Sequence, residues 1–155
     1  MKNLFLKKII SGGQTGADRA GLDAAIELNI PIGGWCPKGR KAEDGPIDEK
    51  YPLQETTSGD YRVRTERNVK ESDGTFIFTM GKPTGGTALT VKKAKALEKS
   101  HMVIDLDDHH DFVKVKDWLV DNDVKVLNIA GPRGSKFPDV YDRVKGYLKA
   151  LLYKK

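Results

Sequence analysis

Short apolar runs alternate with longer amphipathic stretches along almost the whole chain. The apolar runs predict β-strands at 6–10, 31–35, 75–80, 102–106 and 124–130. The amphipathic stretches predict helices at 17–28, 61–73, 87–99, 112–119 and 140–152. The run 75–80 is apolar without alternation, which is typical of a strand buried on both faces of a parallel sheet. This order predicts an α/β domain with a mostly parallel sheet of about five strands and helices on both faces.

One segment breaks this rhythm. Residues 33–60 are polar, rich in glycine, proline and charge, and have no clear hydrophobic period. A loop of this length inside a compact domain is usually functional or mobile. We therefore expect a single domain over 1–155 that carries an irregular functional loop at about 33–60.

Composition excludes several classes of protein. The 155 residues are 38% hydrophobic, which favours a folded domain, and no apolar window is long enough to cross a membrane. Cys36 is the single cysteine, so no intrachain disulfide can form. With no signal-peptide-like stretch at the start, we expect a cytoplasmic protein. The formal net charge of +5 favours anionic partners in general, although a solvated basic surface explains it equally well.

Glycine is the most informative residue type. Twelve of the 16 glycines lie in four loops, each of which follows a predicted strand: Gly12, Gly13 and Gly16; Gly33, Gly34, Gly39 and Gly45; Gly81, Gly85 and Gly86; Gly131 and Gly134. In an open parallel sheet these loops share the carboxyl edge, where ligands bind. Backbone amides of glycine loops and the helix N-termini behind them attract anions. The pattern predicts an anionic or nucleotide-like ligand at this edge.

The candidate binding residues belong to these loops and to the helix before the third strand. They are Gly12, Gly13, Gln14, Thr15, Gly16, Lys38, Arg64, Asn68, Thr84, Gly85, Gly86, Thr87 and Arg133. Arg64 and Asn68 are four residues apart and share a helix face, and Arg133 offers a planar fork to phosphate or carboxylate. Helix capping and a solvated charged surface remain the alternatives for these positions. The first loop has neither the dinucleotide-binding spacing nor the lysine of a P-loop.

Four segments together resemble the molybdenum carrier (molybdenum cofactor carrier) family. They are SGGQTGADRAGLDAA at 11–25, GGWCPKGRKAEDG at 33–45, RTERNVKESDGTFIF at 64–78 and GPR at 131–133. That family is similar to a wider Rossmann-like group that includes the lysine-decarboxylase-like phosphoribohydrolases and the DNA-processing protein DprA. The resemblance implies a Rossmann-like fold and a positively lined pocket for molybdenum cofactor, a phosphorylated pterin (molybdopterin) with a dithiolene-bound oxo-metal. It also implies a carrier that holds and protects the cofactor between its synthesis and its insertion, with molybdoenzymes or cofactor-synthesis proteins as partners. We further expect a homo-oligomer.

Comparison with the phosphoribohydrolases separates binding from catalysis. The run from Thr84 to Thr87 is similar to their phosphate loop, and Arg64 matches the place of their catalytic arginine. The glutamate expected within three residues is absent, because Ala88-Leu89-Thr90 follows. A carrier without catalytic residues is therefore our first interpretation. The alternative is a nucleotide-processing hydrolase whose acid is Asp18, Glu43 or Asp44, and a DNA-associated module is disfavoured because no basic stripe with interleaved aromatics is present.

Overall fold

A five-stranded parallel sheet forms the centre of the protein. The computed structural model describes residues 4–153. The sheet strands are β1 (Lys8–Ser11), β2 (Ile32–Gly33), β7 (Gly74–Thr79), β8 (His101–Asp105) and β9 (Val126–Ala130), in the order β2-β1-β9-β7-β8. All four pairings between neighbouring strands are parallel, for example Ile9 beside Leu127 and Phe76 beside Met102. The predicted parallel α/β fold is confirmed.

Five helices cover the sheet. They are α1 (Ala17–Glu27), α2 (Tyr61–Glu71), α3 (Gly85–Ala96), α4 (Phe112–Asp121) and α5 (Val140–Leu152). The β1-α1-β2 and β7-α3-β8 crossovers move in opposite directions along the sheet. Since such crossovers are right-handed, α1 and α3 lie on opposite faces. Helix α5 packs on α1, and α2 packs on α3. The β8-α4-β9 crossover moves in the same direction as β1-α1-β2, so α4 lies with α1 and α5 on one face, while α2 and α3 cover the other.

The core lies between the sheet and these helices. Every residue of β7 is buried, as its continuous apolar pattern predicts. Phe78 contacts Tyr147 of α5 edge-to-face, with ring centroids 5.3 Å apart, and Phe76 lies 5.8 Å from the Trp118 ring of α4. None of the described helices has the length and apolar character needed to cross a membrane.

The 33–60 segment has more regular structure than its sequence predicts. The predicted strand 31–35 ends at Gly33, because Gly34 turns the chain with a φ of 126° and a side chain there would overlap Ser11. Four two-residue strands follow: β3 (Trp35–Cys36) beside β6 (Gln54–Glu55), and β4 (Lys41–Ala42) antiparallel to β5 (Gly45–Pro46). A small second core holds the segment against α1; its buried members are Leu22, Cys36, Ile47, Tyr51 and Leu53.

Arg40 organises the middle of this segment. Its guanidinium donates hydrogen bonds to the carbonyl oxygens of Ile47, Asp48, Tyr51 and Leu53, at 2.9–3.3 Å. One planar cation thus bonds four backbone acceptors outside the helices and strands, two of which, those of Asp48 and Tyr51, also accept a backbone N–H within a turn. The loop is therefore held in one shape beside the carboxyl edge of the sheet.

Candidate functional site

A cavity of about 300 Å³ opens at the carboxyl edge of the sheet. Its wall is contributed by the loops after β1, β7 and β9 and by α2 and α3. The lining includes Gly12, Gln14, Asp18, Tyr61, Arg64, Asn68, Thr84, Gly85, Gly86, Thr87, Asn128, Arg133, Ser135 and Lys136. The topology thus brings together three of the four glycine loops that follow predicted strands.

A buried ion pair joins two elements of the cavity wall. Arg64 Nη1 of α2 lies 3.0 Å from Asp18 Oδ2 of α1, and the two side chains are only 13% and 5% exposed. Burial raises the pKa of Asp18 above its ordinary value, against the opposing effects of Arg64 and of the Gln14 backbone N–H. The Asp18 carboxylate therefore neutralises much of the positive charge of Arg64.

Hydrogen bonds to protein side chains already occupy groups of the Gly12–Gly16 loop. The Gly13 N–H donates to Ser11 Oγ at 3.3 Å, and the Gln14 N–H donates to Asp18 Oδ2 at 3.3 Å. Thr15 Oγ1 accepts from the Gly134 N–H at 3.1 Å. The Asp18 carboxylate thus stands where we expected an external anion to meet this loop.

The N-terminus of α3 is open by contrast. Helices α2 and α4 are capped by Asp60 and Asp111, whose carboxylates accept backbone N–H bonds in the first turn, whereas α1, α3 and α5 begin without a side-chain cap. The Thr84 side chain makes no such bond, because its hydroxyl accepts from Lys136 Nζ instead. Gly85 and Gly86 therefore present their amides to the cavity at the positive end of the helix dipole.

The Tyr61 ring contacts three cationic side chains that come from three different parts of the chain. Arg133 lies over its ring at 4.6 Å from the centroid, Lys41 at 5.2 Å and Arg64 at 5.6 Å. Within residues 4–153, Arg133 forms no ion pair, so its guanidinium donors remain free for a ligand. Stacking on Tyr61 holds the fork in place before any ligand arrives.

The remaining predicted residues lie in different surroundings. Gly13, Thr15 and Gly16 do not line the cavity, and Lys38 is exposed on a turn of the 33–60 segment. Asn68 reaches the wall, but its amide makes a pair of hydrogen bonds with the backbone of Trp35, at 2.8 and 2.9 Å. That pairing anchors β3 to α2.

Several lining residues were not in the predicted binding set, among them Asp18, Tyr61, Asn128, Ser135 and Lys136. Asp18 was considered only as an acid, although its place in the first glycine loop favours a role in the wall. Asn128 is buried inside β9 and donates to Thr75 Oγ1 at 3.3 Å. A polar side chain in the middle of an apolar strand was the available signal for it. Lys136 follows a glycine loop but belongs to no motif.

Charge decides what this cavity can hold. Three cationic side chains, Arg64, Arg133 and Lys136, line it together with one carboxylate, that of Asp18. The balance is positive, and the α3 amides add to it. The described part of the chain contains no group of three or more His, Cys, Asp or Glu side chains that could hold a metal ion. The arrangement suits an oxyanion attached to a small planar group.

Known proteins include a close structural match to this chain. The chain is 49% identical to a protein from Syntrophus aciditrophicus SB named putative molybdenum carrier protein, whose crystal structure matches with a TM-score of 0.93 over 95% of both chains. A second structure, (E)-4-hydroxy-3-methyl-but-2-enyl diphosphate reductase, is 13% identical, with a TM-score of 0.42 over 94% of this chain and 59% of that one. No curated protein sequence is significantly similar. The first relative confirms the resemblance inferred from the sequence. Residues 9–152 match the circularly permutated YpsA SLOG family, and the chain belongs to that family.

Proposed function

We propose that this protein binds and carries a small phosphorylated heterocycle in the cavity at the carboxyl edge of its sheet. One observation carries the proposal: a cavity with excess positive charge meets a helix N-terminus that no side chain caps. The name of the 49% identical relative supports the general role of a carrier. In this proposal the chain contributes binding and shielding, with no catalytic residue.

Molybdenum cofactor is the ligand that fits this proposal best. The cavity volume of about 300 Å³ is at the lower end of the range of small-molecule sites, and the cavity is open to solvent on one side. Gly85, Gly86, Lys136 and Arg133 would hold the cofactor's phosphate. Tyr61 and Asn128 would face its planar ring system. When bound, the cofactor supplies its own dithiolene-held oxo-metal.

The proposal extends to the cellular setting. A cytoplasmic homo-oligomer would receive the cofactor from cofactor-synthesis proteins and release it to molybdoenzymes. Holding the phosphate by backbone amides and two side chains favours exchange, because such a site binds without enclosing the ligand. The mild positive charge of the chain suits a carrier of anions.

Copurification tests the ligand directly. The protein is isolated without oxygen from cells that make the cofactor, and the released material is examined by mass spectrometry, absorption spectroscopy and molybdenum analysis. We expect a phosphorylated pterin with about one molybdenum per bound molecule. The variant Arg133→Ala/Lys136→Ala should copurify with far less of it. A nucleotide in place of a pterin would contradict the cofactor assignment.

A nucleotide-processing hydrolase is the second candidate, and one observation favours it. Of the three carboxylates considered as acids, only Asp18 lines the cavity. Glu43 is bound to Thr15 and Ser135, and Asp44 to Arg19. A carboxyl whose pKa is raised by burial is the kind that acts as a general acid. Release of a free base from nucleoside monophosphates by this protein, lost in Asp18→Asn, would support the hydrolase.

A further inference from the structure

The carboxylate of Glu43 lies in a cradle of hydrogen-bond donors. Ser135 contributes its backbone N–H to Oε1 at 3.1 Å and its hydroxyl to Oε2 at 2.6 Å. The Thr15 hydroxyl also donates to Oε1. These donors and the nearby Arg133 lower the pKa of Glu43, so it is ionised at neutral pH.

The donors of the cradle come from loops of the central sheet, whereas the Glu43 carboxylate that fills it comes from the 33–60 segment. Thr15 follows β1 and Ser135 follows β9, and the Thr15 hydroxyl is oriented by the Gly134 N–H at 3.1 Å. Glu43 lies at the exposed tip of the β4–β5 hairpin, which reaches the domain from outside. Ser135 also lines the cavity, so the cradle and the cavity share a wall.

We infer that the Thr15–Ser135 cradle is a second oxyanion subsite, which Glu43 fills until an anionic group of the ligand displaces it. This inference rests on the proposed function, since it assigns a second acidic group of the same ligand to the edge of the same cavity. A phosphoryl or carboxylate oxygen accepts the same three donors that the Glu43 carboxylate accepts. Arg133 lines the cavity and also acts electrostatically on Glu43, so its charge is available to both subsites.

Displacement of Glu43 from the cradle should disturb the fold little, because other contacts also hold the β4–β5 hairpin in place. Arg19 of α1 forms a bidentate pair with Asp44, with distances of 2.5 and 3.2 Å. Gln14 Nε2 donates to the Lys41 carbonyl at 3.0 Å. The hairpin therefore stays close to the cavity when Glu43 leaves its cradle, and Glu43 acts as an intramolecular competitor.

Titration calorimetry with inorganic pyrophosphate tests the inference, since it brings two linked phosphates to a cavity whose lining includes the adjacent residues Ser135, from the cradle, and Lys136, from the first subsite. Removal of the competitor in Glu43→Ala should tighten pyrophosphate binding about tenfold, as expected if the cradle is free in roughly a tenth of wild-type molecules. Glu43→Gln keeps the length of the side chain without its charge, and should give a smaller gain. Thermal melting of both variants verifies that they are folded.

Two further variants decide the origin of the gain. Asp44→Asn also removes a negative charge from the hairpin tip, but its amide oxygen can still accept from Arg19 and the cradle stays filled, so it should give little gain. Ser135→Ala in the Glu43→Ala background should abolish the gain. Equal pyrophosphate affinity in wild type and Glu43→Ala, or an equal gain in Asp44→Asn, would overturn the inference.

Failure of the proposed function has a different signature. If the α3 N-terminus binds no anion, Lys136→Ala will leave anion affinity unchanged. A gain in Glu43→Ala that depends on Ser135 would still establish the cradle as an oxyanion site.

Discussion

Arg64 and Asp18 form their ion pair in space that Gly12 leaves empty. A Cβ at residue 12 would overlap Nη1 and Cζ of Arg64. The pair connects α2 to the first glycine loop across 46 positions of sequence. Gly12 is therefore required by the arginine beside it, in addition to lining the cavity.

We expect Gly12→Ala to push the Arg64 guanidinium into the cavity and separate it from Asp18. The cost should be about 2 kcal/mol of unfolding free energy, less than the full value for breaking a buried pair because Arg64 can turn toward solvent. Urea unfolding measures it. Gly146→Ala is the matched control, because open space surrounds Gly146 inside α5, and that change should stabilise by about 0.5–1 kcal/mol.

Arg133→Ala should weaken the binding of a phosphorylated ligand roughly ten- to a hundredfold, because a charge-assisted hydrogen bond is worth about 1.5–3 kcal/mol. Lysine at this position should recover only part of the affinity, since it lacks the fork. Melting without ligand should change little, since Arg133 forms no ion pair within residues 4–153 and its stacking on Tyr61 is worth only about 1 kcal/mol.

Arg62→Ala is the control for Arg133→Ala. It removes the same charge from an exposed position of α2 that pairs with Asp60 and does not line the cavity. Its ligand affinity should stay close to that of wild type. Unchanged affinity together with a clearly lower melting temperature in Arg133→Ala would make Arg133 a structural residue.

The central fold was predictable because its signals are local and repeated. An unbroken apolar run marks β7, and α5 occupies the predicted range 140–152. The site was predictable only in part. The glycine loops indicated the correct edge, since parallel strands bring their carboxyl ends together. Arg64 and Asn68 were expected on one helix face to contact the ligand. In the structure the Arg64 guanidinium pairs with Asp18, whereas the Asn68 amide is hydrogen-bonded to the backbone of Trp35.

The 33–60 segment was not predictable in the same way. Its strands are two residues long, which is too short for any hydrophobic period to show. Its shape depends on Arg40, whose four carbonyl partners are spread over residues 47–53. Contacts from one side chain to scattered backbone atoms leave no pattern in a sequence.

Removal of that side chain should therefore loosen the segment selectively. We expect Arg40→Ala to cost about 2–3 kcal/mol, because four carbonyls lose a charged donor. Amide hydrogen exchange should accelerate in 40–54 and stay slow in β7. Arg40→Lys should rescue little, since an ammonium cannot span four acceptors. Uniform acceleration over the whole chain would mean that Arg40 stabilises the domain globally.

Ribosidase activity toward nucleoside monophosphates should stay at background. No carboxylate follows Thr87 on α3, and Asp18 is paired with Arg64. Product analysis by chromatography measures it. Turnover well above background that disappears in Arg64→Ala would favour the hydrolase over the carrier.

Anion affinity should rise as pH falls through the titration of Asp18. Its pKa is raised from 3.8 by burial, so its charge is lost at a higher pH than that of an ordinary aspartate. Protonation removes the one carboxylate of the cavity lining and frees Arg64 for the ligand. By linkage, a bound anion must in turn raise the pKa of Asp18 further. Glu43 and Asp44 have lowered pKa values and titrate below this window.

Sulfate is the suitable probe for this dependence, because its own charge is constant over the range. We expect its affinity to increase on acidification from neutral pH toward the upper side of 3.8, and to become independent of pH there in Asp18→Asn. The same raised pKa means that burying ionised Asp18 opposes folding, so its contribution to stability is favourable only at low pH and is lost as pH rises through the folded-state value. Sulfate affinity in the wild type that stays below that of Asp18→Asn and does not change over this pH range would show that Asp18 stays charged throughout and that Arg64 is never released to the ligand.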